Sequence, residues 1–187
     1  MMMISKAEAA ASLSEADAIG RRTRTAGGYA MAGPHLILWG AVWLVGYTVT
    51  GLVDPRFLSL VWLPLVPAGA VGATVLGRQA RTRDVRFGAT PIRSLVMAVS
   101  IALFFLAVYL VFQPAALAPY LVFSALVTAL IYVVIGVYGW PRLGWIGAGM
   151  FVASMSAYFF AGSYLPFCIA LAGGGGLMLG GAWLRTV

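Results

Sequence analysis

Six apolar runs of 18 to 22 residues, separated by short polar turns, leave this chain few folds to choose from. They extend over about 34–53, 57–76, 94–112, 117–138, 143–160 and 165–184. A helix needs about 20 apolar residues to cross a bilayer core and a membrane strand only about 9 to 11, so the lengths select helices. A large soluble helical protein could bury such helices too, but each would carry a polar face with a 3.6-residue period, and none of the runs has one. Composition agrees: 62% of the residues are hydrophobic and 9% charged, with a mean hydropathy of +0.97. The expected fold is all-α, a polytopic integral membrane bundle of six transmembrane helices preceded by a short N-terminal cytoplasmic helix. Two parts are expected, an arm over residues 1–33 and a six-span domain over residues 34–187.

The arm, MMMISKAEAAASLSEADAIGRR, has no continuous apolar core and no small-residue cleavage site, so it does not read as a signal peptide. Ser5 and Glu8 have capping-box spacing, and the Ala-rich stretch after them favours a helix from about Lys6 to Ile19. Leu13 and Ile19 are its only large apolar residues after Ile4. Glu8, Glu15 and Asp17 oppose an anionic lipid surface, so the arm reads as a solvated element able to dock a soluble partner. Gly27 and Gly28 suggest a break before the first span, and Pro34 suits the first turn of that span.

Charge fixes the threading. With a cytoplasmic amino terminus, Lys6, Arg21, Arg22, Arg24, Arg142, Arg185 and the loop arginines Arg78, Arg81, Arg83, Arg86 and Arg93 all fall on the cytoplasmic side. Arg56 alone falls on the other, giving 11 basic residues against 1. Short loops make this bias a dependable guide, so both termini are expected in the cytoplasm of a cell of bacterial type, at its inner membrane. The five loop arginines are also the candidate anionic-lipid headgroup site, since each basic side chain near an anionic leaflet contributes about 1 kcal/mol.

Small residues recur at fourfold spacing in three runs: Gly69, Ala73 and Gly77; Gly149, Ala153, Ala157 and Ala161; Ala172, Gly176 and Gly180. Such stripes let helix backbones approach closely, which matters in lipid because apolar burial against another helix gains little over acyl chains. The second and third stripes, joined by the short turn at 162–164, are expected to meet. Pro64 and Pro67 are expected to kink the second span or to move its start to Pro64. The tetraglycine Gly173 to Gly176 is read as a close-packing or hinge element. A phosphate cradle would need a preceding strand and a following Lys-Ser or Lys-Thr, and it has neither.

Chemical signatures are sparse. No Asp, Glu, Lys or Arg lies inside a span, which disfavours a proton-coupled transporter. His35 is the only histidine and Cys168 the only cysteine, so no metal framework, disulfide or cofactor is expected. Asp54 and Arg56 flank Pro55 as a local ion pair or turn. Thr48, Thr50, Ser100, Thr128, Ser154 and Ser156 read as back-bonded to helices, and Tyr132 and Tyr158 as helix-to-helix hydrogen bonders. Tyr29, Tyr47, Trp62, Tyr109, Tyr120, Trp140, Trp145, Tyr164 and Trp183 have the spacing of an interfacial belt. No enzyme is expected. The favoured role is a non-enzymatic accessory or regulatory membrane partner. The alternative is a transport or channel module for a neutral or lipid-like solute, with a cavity between Pro64–Pro67 and Gly173–Gly176. Expected partners are the lipid bilayer, a membrane or cytoplasmic protein and further copies of the chain; nucleic acid is not expected, because the arginines sit at span ends rather than in a basic domain.

Overall fold

The computed structural model describes residues 6–82, 91–113 and 116–186. Helices account for almost all of them: α1 (Lys6–Thr50), α2 (Leu58–Thr82), α3 (Pro91–Phe112), α4 (Leu117–Val137), α5 (Pro141–Phe160), α6 (Leu165–Ile169) and α7 (Gly176–Leu184). A π-helical segment, Ala170–Gly175, joins α6 to α7, so residues 165–184 form one C-terminal rod. Among the described residues, five of the resulting six rods are long and apolar enough to cross a membrane, and α3 contributes the apolar stretch Val99–Phe112. The fold is an all-α helical bundle, compatible with a multi-pass membrane protein.

The expected break at Gly27–Gly28 does not occur, and Pro34 lies inside a helix rather than at its start, because α1 is continuous for 45 residues. Its exposed lower part and its membrane-length upper part are one element. What looked like a breaker is a notch: a side chain at Gly28 would collide with the indole of Trp140. Ser5, the proposed cap, lies outside the described residues. The second span likewise starts before Pro64, at Leu58 after a 3-10 turn over Pro55–Phe57, and it continues to Thr82. At that turn Asp54 Oδ1 accepts from the Arg56 backbone N–H at 3.0 Å and lies 3.3 Å from its Nε, the local ion pair anticipated from sequence.

Helix α1 is central. Trp39 and Val42 receive Gly69 of α2, Leu38 receives Gly72, and Gly46 receives the Trp62 ring. Its opposite face meets the C-terminal rod, where a Cβ on Gly33 would lie 2.9 Å from the Gly181 carbonyl and one on Gly40 would lie 2.7 Å from the Gly174 carbonyl. The two glycine pairs are seven residues apart on each helix, so two antiparallel backbones touch at two successive levels. Helices α4 and α5 form the other close hairpin: a side chain at Gly147 would stand 2.5 Å from the Ala129 carbonyl, and Gly136 rests on Gly144. Gly139, at φ +120°, makes the turn between them.

These four rods bury two layers of side chains. Towards the arm are Tyr29, Leu36, Ala129, Leu143, Ile146, Met150, Leu177 and Leu184. Towards the opposite end are Tyr47, Leu121, Val122, Ala125, Ala157, Leu165, Ile169 and Ala170. Trp43 packs against both. Helix α3 stays outside and leans on α4 through Phe104, Phe105 and Tyr109, whose rings meet Phe123 and Tyr120.

Candidate functional site

The root of the arm is where the most elements converge. Helix α5 begins at Pro141, and its first-turn N–H groups have no partner within the helix. That of Arg142 donates to the Tyr29 hydroxyl at 3.1 Å, so a phenol from α1 caps α5. The Arg142 guanidinium then reaches the end of α7, where Nη1 donates to the Trp183 carbonyl at 2.9 Å and to the Thr186 hydroxyl at 3.1 Å. A cation at these last-turn carbonyls also suits the negative end of the helix dipole. Its charge lies 5.0 Å from the Trp183 ring centroid and 5.9 Å from that of Tyr29. One side chain thus ties α1, α5 and α7 together, while Trp140 fills the Gly28 notch with its indole N–H buried and without a hydrogen-bond partner. Sequence reasoning assigned Tyr29, Trp140 and Trp183 to an interfacial belt and Arg142 to a loop. Nothing in their spacing reveals the junction, because it joins residues 113 positions apart.

Beyond this root the arm is bare. From residue 11 to residue 24 every side chain except Ala18 and Gly20 is exposed, and Leu13 and Ile19 are 67% and 57% exposed. Residues 6–24 project as about 28 Å of helix at 1.5 Å per residue. Their hydroxyls turn inward, Ser12 donating to the Glu8 carbonyl and Thr23 to that of Ile19.

A second polar cluster lies in the upper layer. The Tyr47 hydroxyl shares a short hydrogen bond with Ser124 and donates to the Leu121 carbonyl at 3.2 Å. Beside it the Trp62 indole N–H donates to Thr50 at 3.1 Å, and the Trp62 ring packs edge-on against Tyr47. Among the expected belt aromatics, Tyr47, Trp62 and Tyr109 thus also bond one helix to another, the Tyr109 hydroxyl donating to the Tyr120 carbonyl at 3.2 Å. Thr128 back-bonds to the Ser124 carbonyl as expected, whereas the buried Ser154 hydroxyl has no partner. Tyr132 and Tyr158 form no hydrogen bond with the described residues, contrary to expectation. Each ring nitrogen of His35 faces a main-chain carbonyl, Nδ1 that of Met31 at 2.9 Å and Nε2 that of Ala73 at 3.2 Å.

The other singled-out residues are distributed as follows. Gly69 lies in the α1–α2 contact, and Gly77 has open space around it. Gly180 receives Ile146, Ala157 is buried, and a Cβ on Gly176 would lie 3.8 Å from Met150 Cγ across the α5–α7 boundary. A Cβ on Gly149 would meet nothing within 4 Å, and Gly149, Ala153 and Ala172 line a surface groove between α5 and the C-terminal rod. Gly173 and Gly174 press on Trp43 and Leu44 of α1, while Pro64 and Pro67 are exposed on α2 across the other side of α1. The two irregular segments therefore do not face one another. Arg78 is exposed at the end of α2. Arg83 and Arg86 lie outside the described residues, as do the side chains of Arg81 and Arg93. Among the described residues no group of three or more His, Cys, Asp or Glu is gathered. The chain matches no protein-family model, no curated protein and no solved structure.

Proposed function

We propose that the chain is a non-enzymatic membrane protein that acts as an accessory or regulatory partner of another protein, with its amino-terminal arm as the docking element. The observation that supports this most directly is the continuity of α1, which runs without interruption from the exposed stretch 11–24 into the half-buried Tyr29–Trp140–Arg142 junction. A partner grasping the arm therefore holds the bundle by a rigid handle, and a tilt imposed at one end is felt where α1, α5 and α7 meet. Leu13 and Ile19 offer the apolar anchors, with Glu8, Glu15 and Asp17 around them for a basic partner surface.

The same reading sets the bundle in a bacterial-type inner membrane with both termini in the cytoplasm. Arg142, Arg185 and the arm arginines share one end of the bundle, and Arg56 occupies the other. A reporter active only in the cytoplasm, fused after Val187, is expected to be active; an inactive fusion would reverse the orientation.

Cross-linking in native membranes followed by mass spectrometry tests the partner. A stoichiometric protein is expected with the wild-type chain, and at least tenfold less of it with the double variant Leu13→Glu, Ile19→Glu. Recovery of no stoichiometric partner, or equal recovery with both chains, would remove the arm as a docking element.

A further inference from the structure

The geometry points to a binding site for one anionic glycerophospholipid, with an acyl chain in the groove between α5 and the C-terminal rod and its phosphate on Arg142. The groove is an open surface trough of about 490 Å³. Its floor is made low by Gly149, Ala153, Ala172 and Gly176, and Trp145 and Trp183 stand at its end nearest the arm. A trough of this kind on a face turned to lipid is filled by something, and its long apolar shape suits a hydrocarbon chain.

Charge at the mouth says which kind of lipid. Arg142 leans on Trp183, a wall of the groove, and uses Nη1 on Trp183 and Thr186. Its Nε and Nη2, three of the five guanidinium N–H donors, have no acceptor among the described residues. This is the side-on edge that a phosphate diester takes with two parallel hydrogen bonds. No described carboxylate competes for it: Asp54 is at the opposite end, and Asp17, the nearest acid on the arm, lies twelve residues before Tyr29, about 18 Å along the helix. An unneutralised cation next to a hydrocarbon trough fits a lipid of net negative charge better than a zwitterionic one. This inference does not depend on what the arm binds.

The test uses the full chain in detergent with added dioleoylphosphatidylglycerol or dioleoylphosphatidylcholine, read by native mass spectrometry. One phosphatidylglycerol is expected to be retained roughly fivefold more than phosphatidylcholine, the preference one basic side chain gives at an anionic surface. Arg142→Gln is expected to bring the two lipids to parity. Gly149→Leu, whose Cβ meets nothing within 4 Å and whose longer side chain would fill the groove, is expected to abolish retention of either lipid without lowering the melting temperature. Brominated phosphatidylglycerol should quench wild-type tryptophan fluorescence more than that of the variant Trp145→Phe, Trp183→Phe. Equal retention of both lipids by the wild-type chain, or an unchanged preference in Arg142→Gln, would overturn the site. So would efficient disulfide cross-linking of Gly149→Cys between copies in vesicles, which would give the groove to a second copy of the chain.

Discussion

The four inner rods, α1, α4, α5 and the C-terminal rod, are built from much the same apolar residues as α2 and α3, yet the inner rods bury two side-chain layers while α2 and α3 stay largely exposed. Hydrophobicity does not separate the two groups. Helix α3 has not one glycine among its 22 residues, and among the described residues it meets α4 through aromatic side chains, one of which, Tyr109, also donates to the Tyr120 carbonyl. The inner rods meet backbone to backbone at Gly33–Gly181, Gly40–Gly174 and Gly136–Gly144. Helix α2 is intermediate, since Gly69 and Gly72 receive side chains of α1 rather than its main chain. In lipid, where an apolar surface is already comfortable, contact geometry decides which helix is inside.

Substitutions that add one methyl group at graded positions can break this comparison. Gly174→Ala is expected to be the most damaging, because the new Cβ would stand 2.5 Å from the Leu44 nitrogen and 2.8 Å from the Gly40 carbonyl, neither of which can swing away. A loss of about 3 kcal/mol, the upper end for overpacking, should show as collapse of the monodisperse peak in size-exclusion chromatography. Gly46→Ala meets only the Trp62 ring, at 2.7 Å, so Trp62 can shift at the expense of its hydrogen bond to Thr50. A loss of about 1 kcal/mol is expected in reversible unfolding, and equal damage at both positions would refute the distinction between inner and outer contacts. Tyr109→Phe removes the polar tie between α3 and α4 and is expected to cost about 0.6 kcal/mol, the average for such bonds in a bundle. Its clearer readout is faster thiol labelling of a cysteine at Phe105, with labelling at Leu177 unchanged. Smallest of all, Gly149→Ala meets nothing within 4 Å and is expected to leave stability unchanged or raise it by less than about 1 kcal/mol. A marked loss there would mean that the outward face of α5 is covered.

The rods themselves were legible in the sequence because run length and the absence of a polar period are properties of single segments. Most of their ends were legible within a few residues for the same reason, but the start of the first was not, because α1 runs on without a break from Lys6. Packing was legible only in part. Fourfold spacing drew attention to Gly149 and Gly77, which touch no helix, while the glycines that bring α1 onto the C-terminal rod recur at sevenfold spacing. That signal was present in Gly33 and Gly40 and again in Gly174 and Gly181, and comparing spacings between helices would have exposed it. Gly27–Gly28 misled because glycine is ambiguous in sequence: the same residue that weakens a helix admits a neighbouring ring, and only the position of Trp140, more than a hundred residues later, decides which. The Arg142 junction was not legible at all, since it depends on three helix ends meeting.

The π-helical segment has a consequence for how this chain tolerates change. A wider turn takes up one residue more than an α-turn does, so the C-terminal rod is longer in sequence than in space by about one residue. Elsewhere in the inner rods, losing a residue would rotate everything beyond it by about 100° and turn buried side chains towards lipid. Within Ala170–Gly175 the loss of Gly175 would let an α-turn close while Ile169 and Leu177 keep their directions. The π-helical segment thus acts as a phase adjuster: it is where the rod can shed a residue and still present both of its faces in register.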